Sequence, residues 1–244
     1  MNGAEWKQAI ARGDVRVELT VKAVAISLRR VKPGEFSMGS RATEPGHDAN
    51  ESPVRPVRLT RPFYLGTYPI TQGQYSAVTG LKPSGFHGDD LPVDQVTYPA
   101  AIEFCRKLSE EAGVTVTLPT EAQWEFACRA GTRTRFYSGD SDADLARVAW
   151  YEANSGGSPH PVGQKEPNAW GFYDMLGNIW ELSLDHIRSY REMSETDPVG
   201  QISPNWGQMR GGSYAYGSDS CRCACRLVSN VKFGGSGLRI AINP

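Results

Sequence analysis

Beyond Gly131 the sequence nowhere sustains an apolar period long enough for a helix, and this bounds the fold of the 244-residue chain more tightly than any other feature. Roughly a hundred residues there are glycines, turn formers and short apolar bursts, so a core must be closed by irregular chain and short strands. Glycine (26) and proline (16) make up about a sixth of the chain, beside 39% hydrophobic residues, which suffice for a sizeable core. The first half is more regular. Residues 4–12 read as a short helix, and VRVELTVKAVAI over 15–26 as strand-like alternation. Apolar pieces at 36–38, 57–59 and 63–68 are divided by polar loops. Thr71 is placed to cap a helix over 71–79. In YPAAIEFCRKLSEEAG, Ala101, Phe104, Cys105 and Leu108 fall on one helical face, and Gly113 marks the stop. Thr120 caps a further helix with Glu121 in its first turn and Trp124, Ala127 and Cys128 facing one way. The acid-rich GDSDADLA, residues 139–146, reads as a solvated loop. The expectation is α+β: a helix and strand appendage over 1–30, then one loop-rich domain over 31–244.

Several function classes drop out on composition. A net charge of −1 gives no general attraction to nucleic acid or acidic membranes. No apolar run approaches the ~18 residues of a membrane span. The first thirty residues lack the charged-then-apolar order of a signal peptide, so an address at a cell surface or on a phage particle would require a leader already removed. Five cysteines and four histidines show neither paired CxxC spacing nor HExxH.

The most unusual stretch is RGGSYAYGSDSCRCACRL, residues 210–227. Its ends look fixed and its middle arbitrary. If CRCACR were extended, Cys221, Cys223 and Cys225 would share one face at ~7 Å steps, with Arg222, Ala224 and Arg226 turned to the scaffold. The eighteen residues 214–231 contain no Glu, Lys, Gln, Trp or Met, where ordinary usage would put roughly three or four. Upstream, Gly177 and Asn178 of GNIWEL supply a turn that tolerates positive φ, Trp180 an apolar anchor, and Arg210 a guanidinium able to fork onto a carboxylate such as Glu181.

The ordered series FSMGS, FYLGTYPITQGQY, LPVDQVTY, LPTEAQWEFACRAGT, GNIWEL, RGGSY, CRCACR and GLRI resembles the formylglycine-generating-enzyme domain, also called the sulfatase-modifying-factor domain, over residues 31–240. The resemblance implies a C-type-lectin-like fold. Its oxidase branch binds copper through two thiolates, three and eight residues after the RGGS serine. Here those positions hold Tyr216 and Cys221, and a phenol is a poor match for copper(I). A copper oxidase, or an altered relative acting on a peptide cysteine, therefore stands as the alternative, with Cys221 its only candidate catalytic residue. The iron-dependent relatives carry an added helical domain with histidine ligands, which is missing here.

A subgroup of this family, the variable proteins of diversity-generating retroelements, carries rewritten asparagine codons at this same place. Adenine-directed change of those codons reaches Ala, Tyr, Gly, Ser, Asp, Cys, Leu and Val but not the five missing residue types. The resemblance thus implies a non-catalytic display protein binding a protein or other macromolecule. The candidate contacts are Ala215, Tyr216, Gly217, Ser218, Asp219, Ser220, Cys223, Cys225, Val228, Ser229 and Asn230, with Tyr214 packing inward. Tyr216 is the best single anchor, having wide contact area and few rotamers. A fixed scaffold or adhesion domain is the remaining option. Some relatives hold calcium near the GNxWE turn, which leaves Ca2+ open at Asn178 and Glu181, with Asn154 for a second site; no cofactor is otherwise implied.

Overall fold

The computed structural model describes residues 3–22, 24–186, 189–229 and 235–244. Helix α1 (Gly3–Arg12) leads into strands β1 (Arg16–Val21) and β2 (Val24–Val31), paired antiparallel with Val17 opposite Leu28. Strands β3 (Gly34–Met38), β4 (Arg55–Leu59) and β5 (Phe63–Gly66) follow. Next come helices α2 (Gln72–Thr79), α3 (Tyr98–Ala112), α4 (Glu121–Arg129) and α5 (Asp142–Val148). The remainder is irregular chain holding short strands β6 (Trp180–Leu182), β7 (Glu195–Thr196), β8 (Gly207–Arg210), β9 (Leu227–Ser229), β10 (Ser236–Leu238) and β11 (Ala241–Ile242).

Three small sheets result, in the orders β1-β2-β5-β11, β10-β6-β8-β9 and β3-β4-β7. The last strand returns to pair with β5, so both ends of the chain enter one sheet. The boundary drawn after residue 30 falls inside β2, and Val17, Leu19, Ile26 and Leu28 of the first hairpin share a core with Tyr75 of α2 and Phe104 and Leu108 of α3. A second core gathers Met38 and Val57 with Trp124, Phe126, Leu145 and Val148. Each fully buried Leu, Val or Phe in these clusters contributes about 1.5–3 kcal/mol relative to exposure.

The caps fall where the sequence places them. Thr71 and Thr120 each accept from the N3 backbone N–H while Gln74 and Gln123 reach back to the cap N–H, two complete capping boxes. Gly113 ends α3 in the left-handed region at φ 66°. The expected loop at 139–146 is instead helical from Asp142. Ser141 and Asp144 form a third capping box, and Leu145 and Val148 are buried beneath the acidic face. The acids sit in the first turn, where the helix dipole favours them. Among the described residues, no helix is long and apolar enough to cross a membrane.

Candidate functional site

The framed segment is held from below by three buried arginines. Arg210, at the end of β8, donates to Glu125 of α4 and to the carbonyls of Ala224 (2.7 Å) and Cys225 (2.8 Å). Arg222 meets Glu51 with two N–H···O bonds of 2.6 Å, reaches Glu44 at 3.0 Å, and donates to the Asp219 carbonyl at 2.9 Å. Arg226 forks onto Glu121, donates to the Asn50 carbonyl at 2.6 Å, and lies over the Tyr190 ring. Burial alone would raise the Glu125 carboxyl, but Arg210 and Arg129 beside it hold it below the usual carboxylate range. The sequence-based pairing of Arg210 with Glu181 is corrected here: Glu181 accepts from Arg239 (2.7 Å) and from the Trp124 indole N–H (2.7 Å) instead.

Above these anchors the middle of the segment turns outward. Tyr214 is buried, its ring meeting the exposed Phe86 edge-on at 5.8 Å. Ala215, Gly217 and Asp219 are exposed, while Tyr216, Ser218 and Ser220 are half-buried. The Tyr216 ring stands edge-on to Trp180 at 5.6 Å, and its carbonyl accepts from the Glu152 N–H. Gly217 has φ −65° and ψ 170°, and a Cβ added there would meet only Glu152 Oε2 at 3.6 Å, so this position does not require glycine. Asp219 pairs with Arg135 across the surface.

The cysteines overturn the one-face expectation. The chain is not extended there: a 3-10 turn at Ser218–Cys221 and a second turn at residues 223–224 break the two-residue period. Arg222, Ala224 and Arg226 do face inward, but Cys221 and Cys223 are equally buried at 0% exposure. Cys223 is therefore no ligand contact; its sulfur lies 3.7 Å from that of Cys128 in the second core. Cys225 is half-buried, its thiol pushed up to about 11 by burial. Val228 is half-buried in β9, Ser229 closes that strand, and Asn230 lies outside the described residues.

The Gly177–Asn178 turn adopts positive φ at both residues, 72° and 59°. Asn178 Oδ1 accepts from the His160 N–H and its amide donates to the His160 carbonyl, both at 3.0 Å. Asn154 is similarly engaged by Tyr151 and Ala149. With Glu181 occupied by Arg239 and Trp124, these oxygens already serve N–H donors, so the set does not fit calcium. Nor do the two positions that the resemblance assigns to copper fit it. Cys221 is a single thiol that burial pushes upward, and its counterpart Tyr216 offers a phenol.

Beneath the turn, burial raises Asp174 to about 6 despite the Gly163 N–H and Arg239. A raised carboxyl stabilises the fold below the unfolded value of about 4 and loses that contribution as pH rises through about 6. Asp174→Asn keeps a residue that tolerates the φ of 52° at this position. In urea titrations its stability relative to wild type is expected to improve by roughly 3 kcal/mol between about pH 4 and pH 7; a difference that stays constant with pH would refute the assignment.

Residues 22–244 match the sequence model of the sulfatase-modifying factor enzyme 1-like domain. The solved structure of Treponema denticola variable protein 1 superposes with a TM-score of 0.87 at 26% identity, covering 94% of this chain and 99% of that one. PvdO from Pseudomonas aeruginosa shares the fold, with a TM-score of 0.80 at 24% identity over 93% of this chain and 99% of its own. The chaperone protein LppX of Paenibacillus barcinonensis is 33% identical over 171 residues, 49% of this chain and 60% of that protein. Formylglycine-generating enzyme of Mus musculus is 28% identical over 193 residues, 72% of this chain and 50% of the enzyme. The chain spans about half the length of the curated relatives it matches. The α+β fold is thus the C-type-lectin-like one.

Proposed function

Because the chain belongs to the sulfatase-modifying factor enzyme 1-like domain family, we propose that it is a non-catalytic display protein, one that grips a protein or other macromolecule through a surface rewritten by a diversity-generating retroelement. One observation carries this reading: the division of burial inside a single short segment. Residues 210–214, 221–224 and 226 are interred, with Arg210, Arg222 and Arg226 ion-paired to buried carboxylates, while 215–220 reach solvent between them. Large-to-small changes among buried side chains commonly cost roughly 2–5 kcal/mol, whereas exposed ones away from special contacts cost within about 0.5. A segment divided in this way can change what it touches without losing its fold. The likeness to Treponema denticola variable protein 1 supports the same reading. Ala215, Tyr216, Gly217, Ser218, Asp219 and Ser220 form the contact surface, with Tyr216 as the anchor held in place by Trp180.

Two randomised libraries test this. In one, positions 215–220 take mixtures of Ala, Ser, Tyr, Asp and Gly; in the other, positions 221–226 do. Sorting for folded protein is expected to recover most of the first library and little of the second. Equal loss in both would end the proposal. The gene offers an independent check: its flanking DNA should hold a non-coding near-copy of codons 214–231 differing at adenines, together with a reverse transcriptase.

A further inference from the structure

Beside the display segment lies a cleft of about 500 Å3 between the loop carrying Arg41 and Glu44 and the loop carrying Arg133, Arg135 and Asp140. Its charges are not balanced internally. Glu44 already accepts from Arg222 at 3.0 Å, and Asp140 from the Arg135 backbone N–H at 2.8 Å. Arg129, at the floor, is committed to Glu125 and to the Gly39 carbonyl. Arg41 and Arg133 are exposed and have no carboxylate partner among the described residues. The Arg135 Nε–H is buried and donates to nothing. Its terminal nitrogens pair only with Asp142 and Asp219, whose side chains are 62% and 67% exposed. Asp219 belongs to the display segment, and its carboxylate lies where a Cβ on Gly46 would stand, next in the chain to Pro45 of the cleft lining.

Resting on the display reading, we propose that this cleft receives a carboxylate-rich stretch of the protein ligand, and that the residue at 219 sets how strongly it does so. Guanidinium forks match carboxylates bidentately, and two unpaired ones facing a shallow cavity attract such a group over a Debye length of about 10 Å. The volume admits a few side chains, and the net charge of −1 provides no wider field for a polyanion such as nucleic acid. An Asp at 219 neutralises the nearest guanidinium. A codon change there to Ala, Gly or Ser would leave Arg135 paired with Asp142 alone and open its other terminal nitrogen to the ligand. In this way a rewritten position tunes fixed arginines that it does not itself encode.

The test is fluorescence anisotropy with labelled heptaglutamate, heptaglutamine as the uncharged control, and the whole chain at low salt. Arg41→Ala with Arg133→Ala, both exposed and so compatible with folding, is expected to weaken heptaglutamate binding by about tenfold or more, and Asp219→Ala to strengthen it by about fivefold. Circular dichroism of the variants verifies the fold. The proposal is overturned if heptaglutamine binds equally well, or if the arginine pair makes no difference. It is also overturned if oligothymidylate of equal charge displaces the peptide at lower concentration. Should the 215–220 library fail to fold while heptaglutamate still depends on Arg41 and Arg133, display falls and the cleft stands. A tolerant library with no arginine dependence removes the cleft alone.

Discussion

Arg210→Ala is expected to cost roughly 3–5 kcal/mol, because it leaves a buried carboxylate with half its charge compensation gone. Arg210 is 0% exposed, as is its partner Glu125. Removing the guanidinium also leaves the carbonyls of Ala224, in the interior, and Cys225, at its edge, without that donor. In a chain of this size such a loss lowers Tm by on the order of 10 °C. The effect has a pH signature. Glu125 sits below its ordinary value, so its pairing contributes stability above the unfolded pKa of about 4.3, and that contribution fades as pH falls through the lower folded value. The gap between wild type and Arg210→Ala should therefore narrow in acid. Urea unfolding at neutral and acidic pH measures both, and a neutral-pH loss under about 1 kcal/mol would show that the pair is dispensable.

Gly177→Ala is the second large effect, and its cause is steric. At φ 72° an L side chain is strained by about 1–2 kcal/mol. The added Cβ would lie 2.3 Å from the Trp150 carbonyl oxygen, which is backbone and cannot rotate away. The Gly177 and Asn178 amides donate to the carbonyls of Gly211 and Trp150, both at 2.7 Å, so a shift there also loosens the base of the framed segment. We expect a total loss of about 3 kcal/mol or more. Gly177→Asn, which tolerates left-handed backbone but carries the same Cβ, should recover only the strain. If Asn restored full stability, the clash with Trp150 would not exist.

Capping residues were legible because their partners lie three positions away: Thr71, Thr120 and Gly113 all act locally. The α3 face was legible for the same reason, and Ala101, Phe104, Cys105 and Leu108 are all buried. What failed was non-local. Arg222 finds Glu51 171 positions upstream, and Arg226 finds Glu121 105 positions upstream; no spacing in the chain announces either. A guanidinium able to fork onto a carboxylate does not say which one: Arg210 stands opposite Glu181 in the sheet, yet it points at Glu125 of α4 instead. The cysteine alternation misled because period two is informative only in a strand, and here the chain turns twice between residues 218 and 224. For α5, acidic composition masked an ordinary helix start, with Leu145 and Val148 as the overlooked apolar pair. The cleft had no sequence signal at all, since Arg41 and the arginines at 133 and 135 meet across it from loops about ninety positions apart.

The grip of Arg210 has one more consequence. It holds the tail by carbonyl oxygens, the one acceptor common to all twenty amino acids, at the sites now occupied by Ala224 and Cys225. A substitution at either position leaves that acceptor in place, even where, as at fully buried Ala224, the new side chain costs packing. At half-buried Cys225 the clasp is therefore indifferent to which side chain the residue carries.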